Sequence, residues 1–84
     1  MIRQVKWEQR FCVLTNVGLL IYEDSLKPPI DLFPIIDCAC LEVHETFVGD
    51  TPHVFQLKYE RKEIKFRCNN REERLSWMLL INKL

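Results

Sequence analysis

Few side chains in this chain have the type and spacing to do covalent or metal chemistry. Cys12, Cys38, Cys40 and Cys68 are the thiols, and His44 and His53 are the imidazoles. Cys38-Ala39-Cys40 lacks the two-residue gap of a thiol pair that grips zinc or cycles redox, and neither histidine stands at finger spacing from it. On a strand Cys38 and Cys40 share a face, which reads as buried or half-buried structural thiols. His44 and His53 flank a loop and read as solvated. Ser76 falls in a helical stretch with no Gly-x-Ser-x-Gly around it, and there is no phosphate-binding loop and no His-Glu-x-x-His. The carboxylates are scattered, with no pair placed for general acid and base work. The expectation is a protein that is not an enzyme and uses no cofactor and no metal.

What remains is non-covalent recognition. The chain has 84 residues, twelve basic and twelve acidic, and a formal net charge of zero, which speaks against a nucleic-acid partner. The distribution is uneven. Glu23, Asp24, Asp31, Asp37, Glu42, Glu45 and Asp50 crowd the stretch 23–50 against one base, Lys27. Lys58, Arg61, Lys62, Lys65, Arg67, Arg71 and Arg74 crowd 58–74. A molecule with two electrical sides follows, although 58–67 also fits an ordinary polar strand face. With 48% hydrophobic residues one small domain can build a core. No apolar run near Met1 resembles a signal peptide, and none approaches the ~20 residues of a spanning helix. A cytoplasmic protein with reduced thiols is expected, with peripheral membrane association possible in principle.

The elements that would position these groups are mostly strands. Period-two alternation predicts strands over about 5–14, 18–23, 30–33, 38–45, 53–59 and 63–68. In the first, Val5, Trp7, Phe11 and Val13 share one face, and Lys6, Glu8, Arg10, Cys12 and Leu14 share the other. Thr15-Asn16-Val17-Gly18 has turn chemistry, with Gly18 free to take positive φ. Ala39, Leu41 and Val43 share a face of the fourth strand; Phe55, Leu57 and Tyr59 share one in the fifth; Ile64, Phe66 and Cys68 share one in the sixth. From about 70 to 83 the period changes to helical. Asn69 or Asn70 is the candidate N-cap, and Trp77, Ile81 and Leu84, widened by Leu80, form the apolar stripe. Trp7, Phe11, Phe55, Phe66 and Trp77 are expected in the core. Strands at this spacing, then one amphipathic helix, predict an all-β barrel or sandwich of antiparallel strands capped by a C-terminal α-helix.

That order of residues resembles the pleckstrin-homology (PH) family. Trp7-x-x-Arg10-Phe11-Cys12-Val13-Leu14-Thr15 is similar to its second strand and Gly18-Leu19-Leu20-Ile21-Tyr22 to its third. Lys27-Pro28-Pro29-Ile30-Asp31-Leu32 is similar to the run into its fourth. Phe55-Gln56-Leu57 and Phe66-Arg67-Cys68 resemble the last two strands, and Glu73-Arg74-x-x-Trp77-x-x-x-Ile81 the closing helix. The likeness covers nearly the whole chain. The family's opening strand, with its basic-Gly-x-Leu pattern, has no counterpart in Met1-Ile2-Arg3-Gln4. A first strand missing or reduced to a stub leaves an unpaired edge, to be completed by a neighbouring segment or another chain.

The resemblance implies a recruitment or adaptor module. In the family an anionic headgroup binds at the open end of the barrel, and the matching positions here are Arg10, Tyr22 and Lys27. Lys6 converges on Arg10 along one strand face, Arg3 stands just before it, and Arg61 and Lys62 in the last turn face the same end. Glu8 stands where a further base is expected, on the face of Lys6 and Arg10; it repels phosphate or pairs with Arg10. The expected function is therefore weak, low-specificity docking on anionic phosphoinositide membrane, the partner being a phospholipid headgroup or inositol phosphate. The alternative is a protein–protein interaction module that uses an exposed strand edge, its partner another protein or the rest of a longer polypeptide.

Overall fold

The computed structural model describes residues 7–44, 48–49 and 51–83. Six strands and one helix follow in order: β1 (Phe11–Leu14), β2 (Gly18–Tyr22), β3 (Asp31–Pro34), β4 (Ala39–Val43), β5 (Val54–Tyr59), β6 (Lys62–Arg67) and α1 (Arg71–Asn82). They make two antiparallel three-stranded sheets, β1-β2-β3 and β4-β5-β6, with α1 resting against β4 and β5. Among the described residues the two sheets are not joined by strand pairing into a closed barrel, and the sandwich is the form they take. The expected stub of a first strand, Met1 to Gln4, lies outside the described residues.

The core is one cluster drawn from every layer: Leu19 and Ile21 of β2, Phe33 of β3, Ile35, Phe55 and Leu57 of β5, Cys68 and Ile81 of α1. Burying these apolar side chains is the main force that holds the two sheets and the helix together. The expected faces of β5 and of 63–68 are the observed ones. Ile64, Phe66 and Tyr59 pack on the cluster beside Phe55 and Leu57, and the Phe55 and Phe66 rings stack at 5.2 Å.

β1 is shorter than the sequence predicts and presents the opposite face. Residues 7–10 carry no strand, and Phe11, expected in the core, is 47% exposed. The register explains the reversal. Cys12 stands opposite Ile21 and Leu14 opposite Leu19, and directly opposed residues share a face of an antiparallel pair. Leu19 and Ile21 are buried, so Cys12 and Leu14 go inward with them. Phe11, opposite Tyr22, is turned outward and meets its ring at 5.8 Å. The same logic turns Leu41 of β4 outward and brings Cys38 and Cys40 against the cluster, so the thiols are half-buried as expected.

Gly18 is also placed differently. It is the first residue of β2, opposite Pro34, rather than a positive-φ turn residue. Its smallness matters instead, because a Cβ there would lie 2.6 Å from the Phe33 carbonyl oxygen. The turn before it is held by Thr15, whose Oγ1 donates to Gly18 O at 2.9 Å and accepts from the amides of Val17 and Gly18.

Asn70 caps α1: its backbone is extended and its Oδ1 accepts from Glu73 N at 2.8 Å, while Glu72 and Glu73 face the positive helix end. Ile81 is buried, and Trp77 and Met78 pack half-buried against the core. Leu80, expected within the stripe, is 52% exposed, and Leu84 lies outside the described residues. Arg74 donates to Glu42 at 2.7 Å and ties α1 to β4.

Candidate docking site

The strand register gathers most of the expected headgroup residues at one end of the molecule. Arg10 immediately precedes β1, and Tyr22 closes β2 opposite Phe11. Lys27 sits in the loop from β2 to β3, Arg61 in the turn between β5 and β6, and Lys62 opens β6. Lys62 Nζ reaches Asp31 at 2.7 Å, across from one sheet to the other, so these ends do meet. Lys6 and Arg3 lie outside the described residues.

These residues share an end without forming a free cationic mouth. Arg10 donates to Glu8 at 2.5 Å and to the Gln9 carbonyl at 2.9 Å. Lys27 stands 3.7 Å from Glu23 and 3.8 Å from Asp24. Lys62 bonds Asp31, holds that carboxyl below its ordinary pKa, and lies 5.7 Å from the Phe33 ring centre. Tyr22 is engaged with Phe11. Among the described residues Arg61 is the one cation of this set that makes no ion pair. Phosphate recognition needs convergent cations with donors to spare, and here a carboxylate stands beside nearly every cation.

A second feature, a groove between the sheets, has more room. It has a volume of about 810 Å³ and runs between the segment Trp7 to Arg10 on one bank and the second half of β6 on the other. Leu19, Ile21 and Phe55 form its deepest part, with Cys12, Ile64, Phe66 and Trp77 around them. β1 and β6 are both edge strands, each paired on one side only among the described residues, and β6, with six residues, is the longest edge strand. An unpaired edge beside an apolar floor is the geometry that accepts an added strand.

At the far end of this groove Trp7 meets Arg67, the guanidinium carbon lying 5.7 Å from the indole ring centre. The Trp7 Nε1–H is buried and has no acceptor among the described residues. Buried donors are nearly always satisfied, so this one marks a place where an acceptor fits. On the outward face of β6 Lys65 is paired with Glu63, and Arg67 has no carboxylate partner among the described residues. Sequence reasoning placed Trp7 in the core and treated 58–67 as a polar strand face, so it missed the groove. The usable signal was the alternation of Ile64, Phe66 and Cys68 with Lys65 and Arg67.

The thiols contribute no nucleophile. Burial pushes Cys40 and Cys68 up to about 11, with Cys38 adding to the first and the charge of Glu73 to the second. Burial raises Cys12 and Cys38 as well. Such thiols are protonated at neutral pH. Among the described residues no group of three or more His, Cys, Asp or Glu is arranged for a metal ion, and no helix is long and apolar enough to cross a membrane.

Two antiparallel three-stranded sheets packed with one C-terminal helix define one class of small β-sandwich domain. The family model described as PH domain matches residues 2–84, and the chain belongs to that family. Its members are generally non-catalytic signalling or adaptor modules that bind phosphoinositides or proteins. No curated protein matches the chain.

Proposed function

We infer that this PH domain is a protein-docking module that takes an extended segment of a partner in the groove between β1 and β6. One observation carries the reading: a groove of about 810 Å³, with an apolar floor at Leu19, Ile21 and Phe55 and polar banks, lies between two strand edges that are unpaired among the described residues. Strand addition there satisfies the backbone groups of the edge and covers Ile64, Phe66 and Trp77 in one step. Selection of extended peptides by display, followed by amide exchange on the domain, tests it. Selected binders should slow exchange in β6 or β1. Binders that protect neither strand would refute the reading.

A second reading, weak docking on anionic membrane, draws support from the loop between β2 and β3. Asp24 Oδ1 accepts from Leu26 N at 2.8 Å and shapes a turn that holds Leu26 outward, 94% exposed, beside Lys27. Arg61 and Lys62 add charge at the same end, at about 1 kcal/mol per well-placed base near an anionic surface. Glu23, Asp24 and Asp31 oppose it. Co-sedimentation with phosphatidylserine or phosphoinositide vesicles at two salt concentrations separates the readings. Tight, salt-sensitive binding that Leu26→Ala and Lys27→Ala abolish favours the membrane; its absence at low salt removes it.

A further inference from the structure

We propose that the groove selects a partner segment by charge: an extended protein segment that alternates apolar and acidic residues, with a carboxylate set opposite Arg67 and a backbone carbonyl accepting from Trp7 Nε1. The proposal rests on the strand-addition reading and names the chemistry of what is added.

The alternation follows from the pleat. Side chains of an added strand line up with those of its neighbour, face by face. On the inner face of β6 the neighbours are Ile64 and Phe66, half-buried over the floor of the groove. Every second residue of the segment therefore meets apolar surface and is itself apolar. On the outer face the neighbours are Glu63, Lys65 and Arg67. Glu63 and Lys65 already satisfy each other. Arg67 stands over the Trp7 ring with no carboxylate beside it among the described residues, so the opposing position favours aspartate or glutamate. A lysine or arginine there would meet a like charge directly across the pair, which is destabilising.

Trp7 supplies a second determinant at the same place. Its Nε1–H is buried and without an acceptor among the described residues. It cannot be satisfied by a protonated amine, and it does not need a side chain, because any strand laid along β6 brings a carbonyl every residue. The indole thus reads the presence of the backbone, and Arg67 reads the charge of one side chain. The rest of the bank is already neutral, since Arg10 is paired with Glu8. Selectivity is accordingly concentrated at the Trp7–Arg67 end.

The test uses three short synthetic peptides in which valine alternates with glutamate, threonine or lysine. Each is titrated into the domain and followed by Trp7 and Trp77 fluorescence and by exchange of the β6 amides. The glutamate peptide should bind about 2–5-fold more tightly than the threonine peptide, and the lysine peptide least, as expected for one exposed charge pair. Arg67→Gln, on an exposed side chain, should erase the difference between glutamate and threonine while leaving β6 protected by both. Trp7→Phe should weaken all peptides that bind by about 2–10-fold without changing their order, the loss of one hydrogen bond. Equal affinity of the three peptides, with β6 protected, overturns the charge selection and leaves the strand-addition reading standing. Failure of all three to protect β6 or β1 removes both. A preference for glutamate that survives in Arg67→Gln overturns the assignment to Arg67.

Discussion

Replacing Ile81 by alanine should strip α1 of its main hold on the sheets, whereas the same change at Leu80 should do little. The two positions are neighbours on one helix, separated by about 100° around its axis, so the pair reports which face points inward. Ile81 is 3% exposed within the core cluster and Leu80 is 52% exposed. Truncating isoleucine to alanine removes about three methylene equivalents, roughly 2.4 kcal/mol of transfer free energy at ~0.8 each. A cavity at the helix–sheet contact adds to this, since the sheet side cannot fully collapse. Alanine returns a few tenths of a kcal/mol in helix propensity. The net loss is about 2–4 kcal/mol, a large share of the stability of so small a domain. At ~4–8 °C per kcal/mol the melting temperature should fall by roughly 8–32 °C. Leu80→Ala should stay within about 1 kcal/mol of the parent. Urea unfolding followed by far-ultraviolet circular dichroism measures both. Equal losses at the two positions would mean that Leu80 faces the core with Trp77, and the helix face described above would be wrong.

Gly18→Ala should destabilise by about 1–3 kcal/mol, because the new methyl would meet the Phe33 carbonyl oxygen at 2.6 Å and the backbone of β3 must shift; thermal melts would show it, and a neutral result would refute the close approach. The thiols predict a weakening at alkaline pH. Cys40 and Cys68 ionise near 9.0 in an unfolded chain and at about 11 in the fold, so the unfolded state loses protons first as pH rises. Stability present below pH 9.0 should therefore decline between 9.0 and about 11, and Cys40→Ala with Cys68→Ala should flatten that decline in urea midpoints measured across the range. An unchanged slope in the double variant would assign the decline to other groups.

Much of the fold was legible because its signals are local. The alternation in 53–59 and 63–68, the change of period near residue 70 and the capping chemistry of Asn70 each depend on residues close in sequence. The faces of β1 and β4 were harder. Phe11 looks like core by composition and Cys12 falls on the expected polar face, yet register with Ile21 sends Cys12 inward, and register with Leu57 turns Cys40 inward and Leu41 out. Tertiary pairing decides a face when both faces of a strand hold plausible apolar residues. Arg10, Tyr22, Lys27, Arg61 and Lys62 were expected at a headgroup site, the first three from the family resemblance. Sequence also anticipated the bond from Arg10 to Glu8. It could not supply the pairing of Lys62 with Asp31, thirty-one residues away and in the other sheet. The groove was invisible for the same reason, since Trp7 and Arg67 meet only after both sheets form.

The location of the groove follows from how unevenly this small core is closed. One flank is covered by α1, through Ile81 and the bond from Arg74 to Glu42. At another, Lys62 bridges to Asp31 and covers the Phe33 ring. The flank between Trp7 and β6 has neither device, and Ile64, Phe66, Trp77 and Cys12 stay half-buried there. Apolar surface left partly wet, beside a backbone edge and an indole N–H that have no partner among the described residues, holds free energy that the added segment proposed above would release. The cations at the loop end, Arg61 apart, are in the opposite condition, because carboxylates already pair with them. A ligand there must displace an existing partner of most of these cations, whereas among the described residues Arg67 and the Trp7 indole N–H of the groove have no such partner, and this asymmetry is what supports the protein-docking reading proposed above.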